Sequence, residues 1–211
     1  VLWQRLQAER HNLFQYFCSP HHRDTHFFPI IGQFERGARF KRDDTPEAKL
    51  DKLGALLAPV AASEGDIGLI AELLSLPYSD RYRVPDLTPQ RKKENTLEAL
   101  ARYLAGFAQR QPALMIFEDL HWTDATSREF LDLLVDRIEG MPVLLVATLR
   151  SEFQPPWTGL RQVSSLTLAA LIKAFAQPSS SRSPGLRHRS QGRLWPRSSS
   201  APTACRSFSK S

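Results

Sequence analysis

Residues 114–124 read Leu-Met-Ile-Phe-Glu-Asp-Leu-His-Trp-Thr-Asp, four apolar positions that stop abruptly at two adjacent carboxylates. Few folds accommodate such a stretch. A short, continuously apolar run following Pro112 reads as a strand buried on both faces of a parallel sheet. Strands of that kind deliver their last residues to the carboxyl edge of the sheet, where open α/β folds place their chemistry. Paired acids at that edge suit a magnesium–phosphate site, one ordering the metal's water shell and the other positioning an attacking water. The complementary motif is missing. No G-x-x-x-x-G-K-[ST] occurs in the 211 residues, and none of the ten glycines falls in a phosphate-cradling loop.

A second apolar run, Met141-Pro-Val-Leu-Leu-Val-Ala-Thr148, ends at Leu149-Arg150. Between the two runs, Thr123 or Asp124 caps a helix carrying Phe130, Leu131, Leu133, Leu134 and Ile138, with Thr126-x-x-Glu129 as an alternative capping box and Gly140 as its C-cap. Two apolar strands joined by a helix of about four turns describe a parallel βαβ unit whose sheet is buried on both faces.

Upstream, residues 2–10 have helical spacing, and residues 13–18 form an aromatic-rich strand stopped by Ser19-Pro20. A polar loop over residues 21–26 precedes a helical pattern over residues 27–40. Asp44-Thr45-Pro46-Glu47 starts a helix that runs to Leu57, with Leu50, Leu53, Leu56 and Leu57 on one face. Residues 66–76 read as a short helix closed by Pro77. Thr88-Pro89 opens a longer one to Gln111, which gathers Leu97, Leu100, Ala101 and Leu104 on one side.

The character changes after Glu152. Residues 153–211 contain no acid, and residues 178–211 hold eleven Ser and four Pro with six Arg and one Lys. That composition cannot build a core and reads as a disordered tail, of the kind a shifted reading frame also produces. The tail's charge of +7 exceeds the +6 of the whole chain, which leaves −1 for residues 1–177. The sequence pI of about 9.6 therefore describes the tail, and argues only for weak nucleic-acid binding through it. Two cysteines, Cys18 and Cys205, make neither a disulfide framework nor a zinc site and point to a reducing, cytoplasmic setting. No run approaches the roughly 18 apolar residues that span a bilayer. The N-terminus is charged and helical, unlike a signal peptide, and its lack of an initiator Met reads as a start within a longer protein.

The run ending Glu118-Asp-Leu-His-Trp-Thr-Asp124, followed by Val143-Leu-Leu-Val-Ala-Thr-Leu-Arg150, resembles the ATPase module of bacterial STAND/AAA-type P-loop signalling proteins. Phe17-Cys-Ser-Pro-His-His22 and Lys49-Leu-Asp-Lys-Leu-Gly-Ala-Leu-Leu57 look like further segments of that family. Such modules often lie behind a class III adenylate/guanylate cyclase domain and ahead of TPR repeats. The resemblance covers residues 1–168 and leaves residues 169–211 as the tail. It implies an ASCE-type parallel sheet flanked by helices, with strand order 5-1-4-3-2. Residues 13–18, 113–118 and 143–148 correspond to strands two, three and four, and the P-loop strand falls before Val1. By the same mapping Glu118 orders Mg²⁺, where Asp is commoner and the longer Glu alters the metal geometry. Asp119 polarises the attacking water, and Arg150 reads the γ-phosphate of ATP. His121, two positions past the acidic pair, is within reach of the phosphate region. ATP and Mg²⁺ are the implied cofactors, and adjacent signalling domains the implied partners. Without a Walker A loop, this chain alone is expected to be inactive.

Plainer accounts compete for several of these residues. The acidic pair would be an awkward helix cap, since Thr123 and Asp124 already serve. Trp122 is expected to pack beneath the following helix. The His21, His22, His26, Asp24 and Cys18 group matches no zinc spacing. Arg91-Lys92-Lys93 reads as the solvated start of a helix. At the level of the whole chain, the alternatives are a protein-interaction module with a vestigial nucleotide site, a nucleic-acid-binding regulator acting through the tail, and a truncated product with exposed strand edges.

Overall fold

Prolines and hydroxyl caps punctuate the chain. In the computed structural model, which describes residues 10–77, 81–82, 84 and 86–167, they set the start of most elements. All described residues belong to the first of two units, Val1–Leu168 and Ala169–Ser211. The helix expected over residues 2–10 (Arg10 apart) and the expected tail lie outside them. Strand β1 spans Asn12–Phe17, β2 Ala113–Glu118 and β3 Val143–Ala147. Helices α1 (Phe28–Gly37), α2 (Pro46–Leu57), α3 (Glu64–Leu73) and α4 (Pro89–Arg110) lie between β1 and β2, and α5 (Ala125–Arg137) joins β2 to β3.

Thr45, Ser63 and Thr88 each accept the N–H three residues on, so α2, α3 and α4 begin with one of their orphan donors satisfied. Helices α1 and α3 stop short of the spans expected from sequence. Each ends through a residue in the left-handed region, Arg39 (φ 55°) and Ser75 (φ 55°). Phe40 N–H then reaches back to Glu35 O and Leu76 N–H to Ala71 O, both at 2.9 Å. This termination places an apolar residue just past the helix, packed against its last turn. Phe40 and Leu76 extend the apolar periodicity for that reason without belonging to the helix.

The sheet is parallel with order β1-β2-β3. Asn12 lies opposite Ala113 and Phe17 opposite Glu118; Ala113 lies opposite Val143 and Phe117 opposite Ala147. One face carries Phe14, Tyr16, Met115 and Phe117 into the core, with Leu145 and Ala147 packed against it. Tyr16 stacks on Phe117 at 4.2 Å, and Phe14 meets Tyr103 and Phe107 of α4 edge-on at 5.9 and 5.8 Å.

The expectation of a sheet buried on both faces is met at the central strand, where Leu114 on the second face is 4% exposed, and corrected at β3. Among the described residues Leu13, Leu114, Ile116, Leu144 and Val146, on the alternate positions, take no part in that core cluster, and Leu144 is 51% exposed. Both crossovers step across the sheet in one direction, and right-handed connections then stack their helices on a single face.

The two edges differ. On β1, Gln15 N–H donates to Gln33 Oε1 at 3.0 Å and Gln15 O accepts from Arg36 Nη2 at 2.6 Å, so α1 closes that edge with side chains. Burial against this strand lowers the Arg36 pKa. No comparable side-chain closure meets β3 among the described residues.

Candidate functional site

Parallel register fixes where the three strands end. Cys18 N–H donates to Glu118 O at 3.1 Å, Thr148 N–H to Phe117 O at 2.9 Å, and Leu120 N–H to Thr148 O at 2.9 Å. The loops after β1, β2 and β3 therefore leave the same carboxyl edge. Asp119 turns the chain there with a left-handed backbone (φ 55°) and starts the 3₁₀ turn Leu120–Trp122. Its N–H donates to Thr148 Oγ1 at 2.9 Å, which ties the acidic pair to the segment leading to Arg150.

Glu118 is half-buried and Asp119 exposed. Neither forms an ion pair with a cation among the described residues, whereas eight ion pairs occur elsewhere. Their oxygens are hard donors of the type magnesium takes one or two at a time, filling its other positions with water and phosphate. No cluster of three or more His, Cys, Asp and Glu among the described residues makes an all-protein metal cage. The donor set thus fits magnesium held jointly with a phosphate, and does not fit a structural metal.

Trp122 joins the remaining groups. The Arg150 guanidinium lies 5.4 Å and that of Arg23 5.0 Å from its ring centroid, within cation–π range. The His121 ring is 4.9 Å from the same indole, and both of its nitrogens are buried without a protein partner. Trp122 does pack against the core, as expected, but it also seats two arginines from different loops.

Beneath this surface Asp124, 2% exposed, caps α5. Its Oδ1 accepts from Ser127 N–H at 2.9 Å and from Phe27 N–H at 3.0 Å, which fastens the loop after β1 to the loop after β2. The capping-box alternative at Thr126 is overturned. Thr126 Oγ1 lies inside the helix, 2.7 Å from His26 Nδ1, and Glu129 pairs with Lys93 at 2.7 Å. Cys18 is buried below the same loops. Desolvation pushes its thiol up to about 11, against a hydrogen bond from Thr123 that lowers it.

Other candidates sit apart from the acidic pair. His22 stacks on Phe28 at 3.9 Å. Lys92 and Lys93 reach Glu72 and Glu129 at 2.7 Å and so tie α4 to α3 and α5, while Arg91 stays solvated, as expected, and meets only Glu94 of its own helix. Two cavities, of about 100 and 330 Å³, share Ala113, Met141 and Val143 and lie at the opposite end of the strands. Sequence reasoning missed Arg23 and Thr148. In the sequence Arg23 lies in a polar loop and Thr148 within the segment before Arg150 with no role of its own, and each matters through a contact between segments far apart in the chain.

The model of the AAA ATPase domain family matches residues 3–146. An uncharacterised protein of Rhizobium meliloti (strain 1021) is 36% identical over 83 residues. That match covers 39% of this chain and 8% of the relative, so the chain spans only a small part of that protein's length. No solved structure matches the chain. The family match takes in all of β1 and β2 and most of β3, together with the acidic pair, and the chain belongs to the AAA ATPase domain family.

Proposed function

We propose that this chain is the distal part of an ATP-binding, ATP-hydrolysing regulatory module in a bacterial signal-transduction protein, of the STAND type and linked to further signalling domains such as a nucleotide cyclase. The reading rests on one observation: Glu118-Asp119 and the segment leading to Arg150 leave adjacent parallel strands at one edge, joined by the Asp119 N–H bond to Thr148. The small share of the Rhizobium relative that is matched agrees with a module set within a much longer protein.

In this reading Glu118 would hold magnesium through its water shell. Asp119 orients and polarises a water for in-line attack on the γ-phosphate, and Arg150 turns its planar fork to the phosphate oxygens. His121, whose two ring nitrogens are buried without a protein partner beside Trp122, is the further group assigned here to the phosphate region. Magnesium supplies charge neutralisation across the phosphates when bound. These 211 residues carry no phosphate-cradling loop, so we infer that they bind nucleotide weakly and do not turn it over alone.

The test compares Mg·ATP binding by this chain and by one extended upstream to include a glycine-rich phosphate loop. The extended chain should bind and hydrolyse ATP. Asp119→Asn should cut hydrolysis by roughly 10²-fold or more while retaining binding, and Glu118→Gln should raise the magnesium requirement. An extended, folded chain that binds no nucleotide would remove the reading.

A further inference from the structure

We infer that Arg23, carried by the loop after β1, is a second phosphate-binding cation at this edge, seated with Arg150 on Trp122. The inference rests on the reading above and adds to it a residue from a strand that carries none of the acidic pair.

Three observations lead to it. First, Arg23 is exposed and makes no ion pair with a carboxylate among the described residues; the same holds for Arg150. Arg81, Arg91, Arg102 and Arg137 do meet Asp or Glu, whereas Arg23 and Arg150, like Arg128, have only a ring beneath them. Second, both guanidiniums lie close to one indole centroid, at 5.0 and 5.4 Å. Two like charges gathered on one ring repel, and a ring quadrupole offsets only part of that. A di- or triphosphate is long enough to span two cations held over one indole, and it offers each fork the oxygens that guanidinium binds in bidentate fashion. Third, the loop is anchored where it must be. Asp124 Oδ1 holds Phe27 N–H, and His26 meets Thr126, so Arg23 projects from a segment fastened to the acidic loop.

The ligand class is a di- or triphosphate with magnesium, because a polyphosphate alone would be repelled by Glu118 and Asp119 beside it. Trp122 is the platform and Arg23 the added contact, and neither is asked to take part in bond breaking.

The experiment titrates the full chain with inorganic pyrophosphate and magnesium, by calorimetry and by tryptophan emission, with Trp122→Phe identifying the indole that reports. Arg23→Ala and Arg150→Ala should each weaken binding about five- to tenfold, as loss of a charge-assisted contact at an exposed site does. Arg23→Lys should restore part of the loss. Arg128→Ala, which removes another ring-stacked arginine 5.7 Å from Phe153, should change nothing. Unchanged affinity in Arg23→Ala with a loss in Arg150→Ala overturns the inference and leaves the reading of Glu118, Asp119 and Arg150 intact. An unaltered chain that does not bind pyrophosphate also overturns it, and the wider reading is then judged by ATP binding in the upstream-extended chain.

Discussion

Asp124 accepts from two backbone N–H groups, one 97 positions away in the chain and the other 3 positions away. Removing it strips α5 of its cap and leaves Phe27 N–H buried and unpaired. A lost cap costs roughly 1 kcal/mol and a stranded buried donor about 1–3 kcal/mol. Asp124→Ala should therefore destabilise by about 2–4 kcal/mol in urea unfolding, and Asp124→Asn, which keeps an acceptor oxygen, by clearly less. Equal losses for the two variants would mean that charge, and not the accepting oxygen, is what matters. Cys18 allows a second test at this scale. Its folded pKa of about 11 lies above the ordinary value of 9.0 because the buried thiolate is poorly solvated. Between those values the unfolded chain releases the proton first, so unfolding is favoured progressively as pH rises through that window. Cys18 should resist iodoacetamide at about pH 8 in the folded chain, react after denaturation, and lend the stability curve a fall above about pH 9 that Cys18→Ala lacks. Asp124 was legible in the sequence as a cap. Its second partner was not, because a contact across 97 residues leaves no local periodicity or spacing to read.

Elements were legible wherever one short-range rule governed them. Thr45-Pro46 and Thr88-Pro89 start helices for reasons contained in four residues, and both apolar strands appear within a residue or two of the expected bounds. The helix ends at Arg39 and Ser75 were not, since non-glycine residues there adopt a conformation that sequence assigns to glycine. Nor does apolarity on both parities of a strand say which face finds a partner, as Leu144 demonstrates. The edge of β1 gives this scale its prediction. Gln33 is buried and its Oε1 serves Gln15 N–H, so Gln33→Ala should cost about 1–3 kcal/mol. Because the strand's inward bonds to β2 survive, the loss should be local, and hydrogen exchange should accelerate at Gln15 before it does at Tyr16. Uniform acceleration along β1 would show instead that Gln33 supports the whole strand.

At the scale of the whole module, side chains of α1 close the β1 edge, whereas β3 meets no comparable closure among the described residues, and the proposed upstream strand would pair there. The candidate site is lopsided in the same sense. Its acids, its Arg150 and its Trp122 all stand at the carboxyl ends of β2 and β3, and the proposed phosphate cradle would have to approach from the β3 side. Leu144 measures this directly, being an apolar residue 51% exposed on the face that the described helices leave alone. In the 211-residue chain, Leu144→Lys should change stability by less than about 0.5 kcal/mol, as exposed substitutions do. In a chain extended upstream by the proposed strand and helix of a phosphate-binding unit, the same position should be covered. A lysine buried there loses the leucine contribution of about 1.5–3 kcal/mol and must also desolvate its charge. The measurement is a pair of urea titrations, each setting the unaltered sequence against the Leu144→Lys variant in one length of chain. A penalty confined to the longer chain supports an upstream segment packed over β3, and equal small penalties in both would place that segment elsewhere and detach the acidic pair from its proposed phosphate partner.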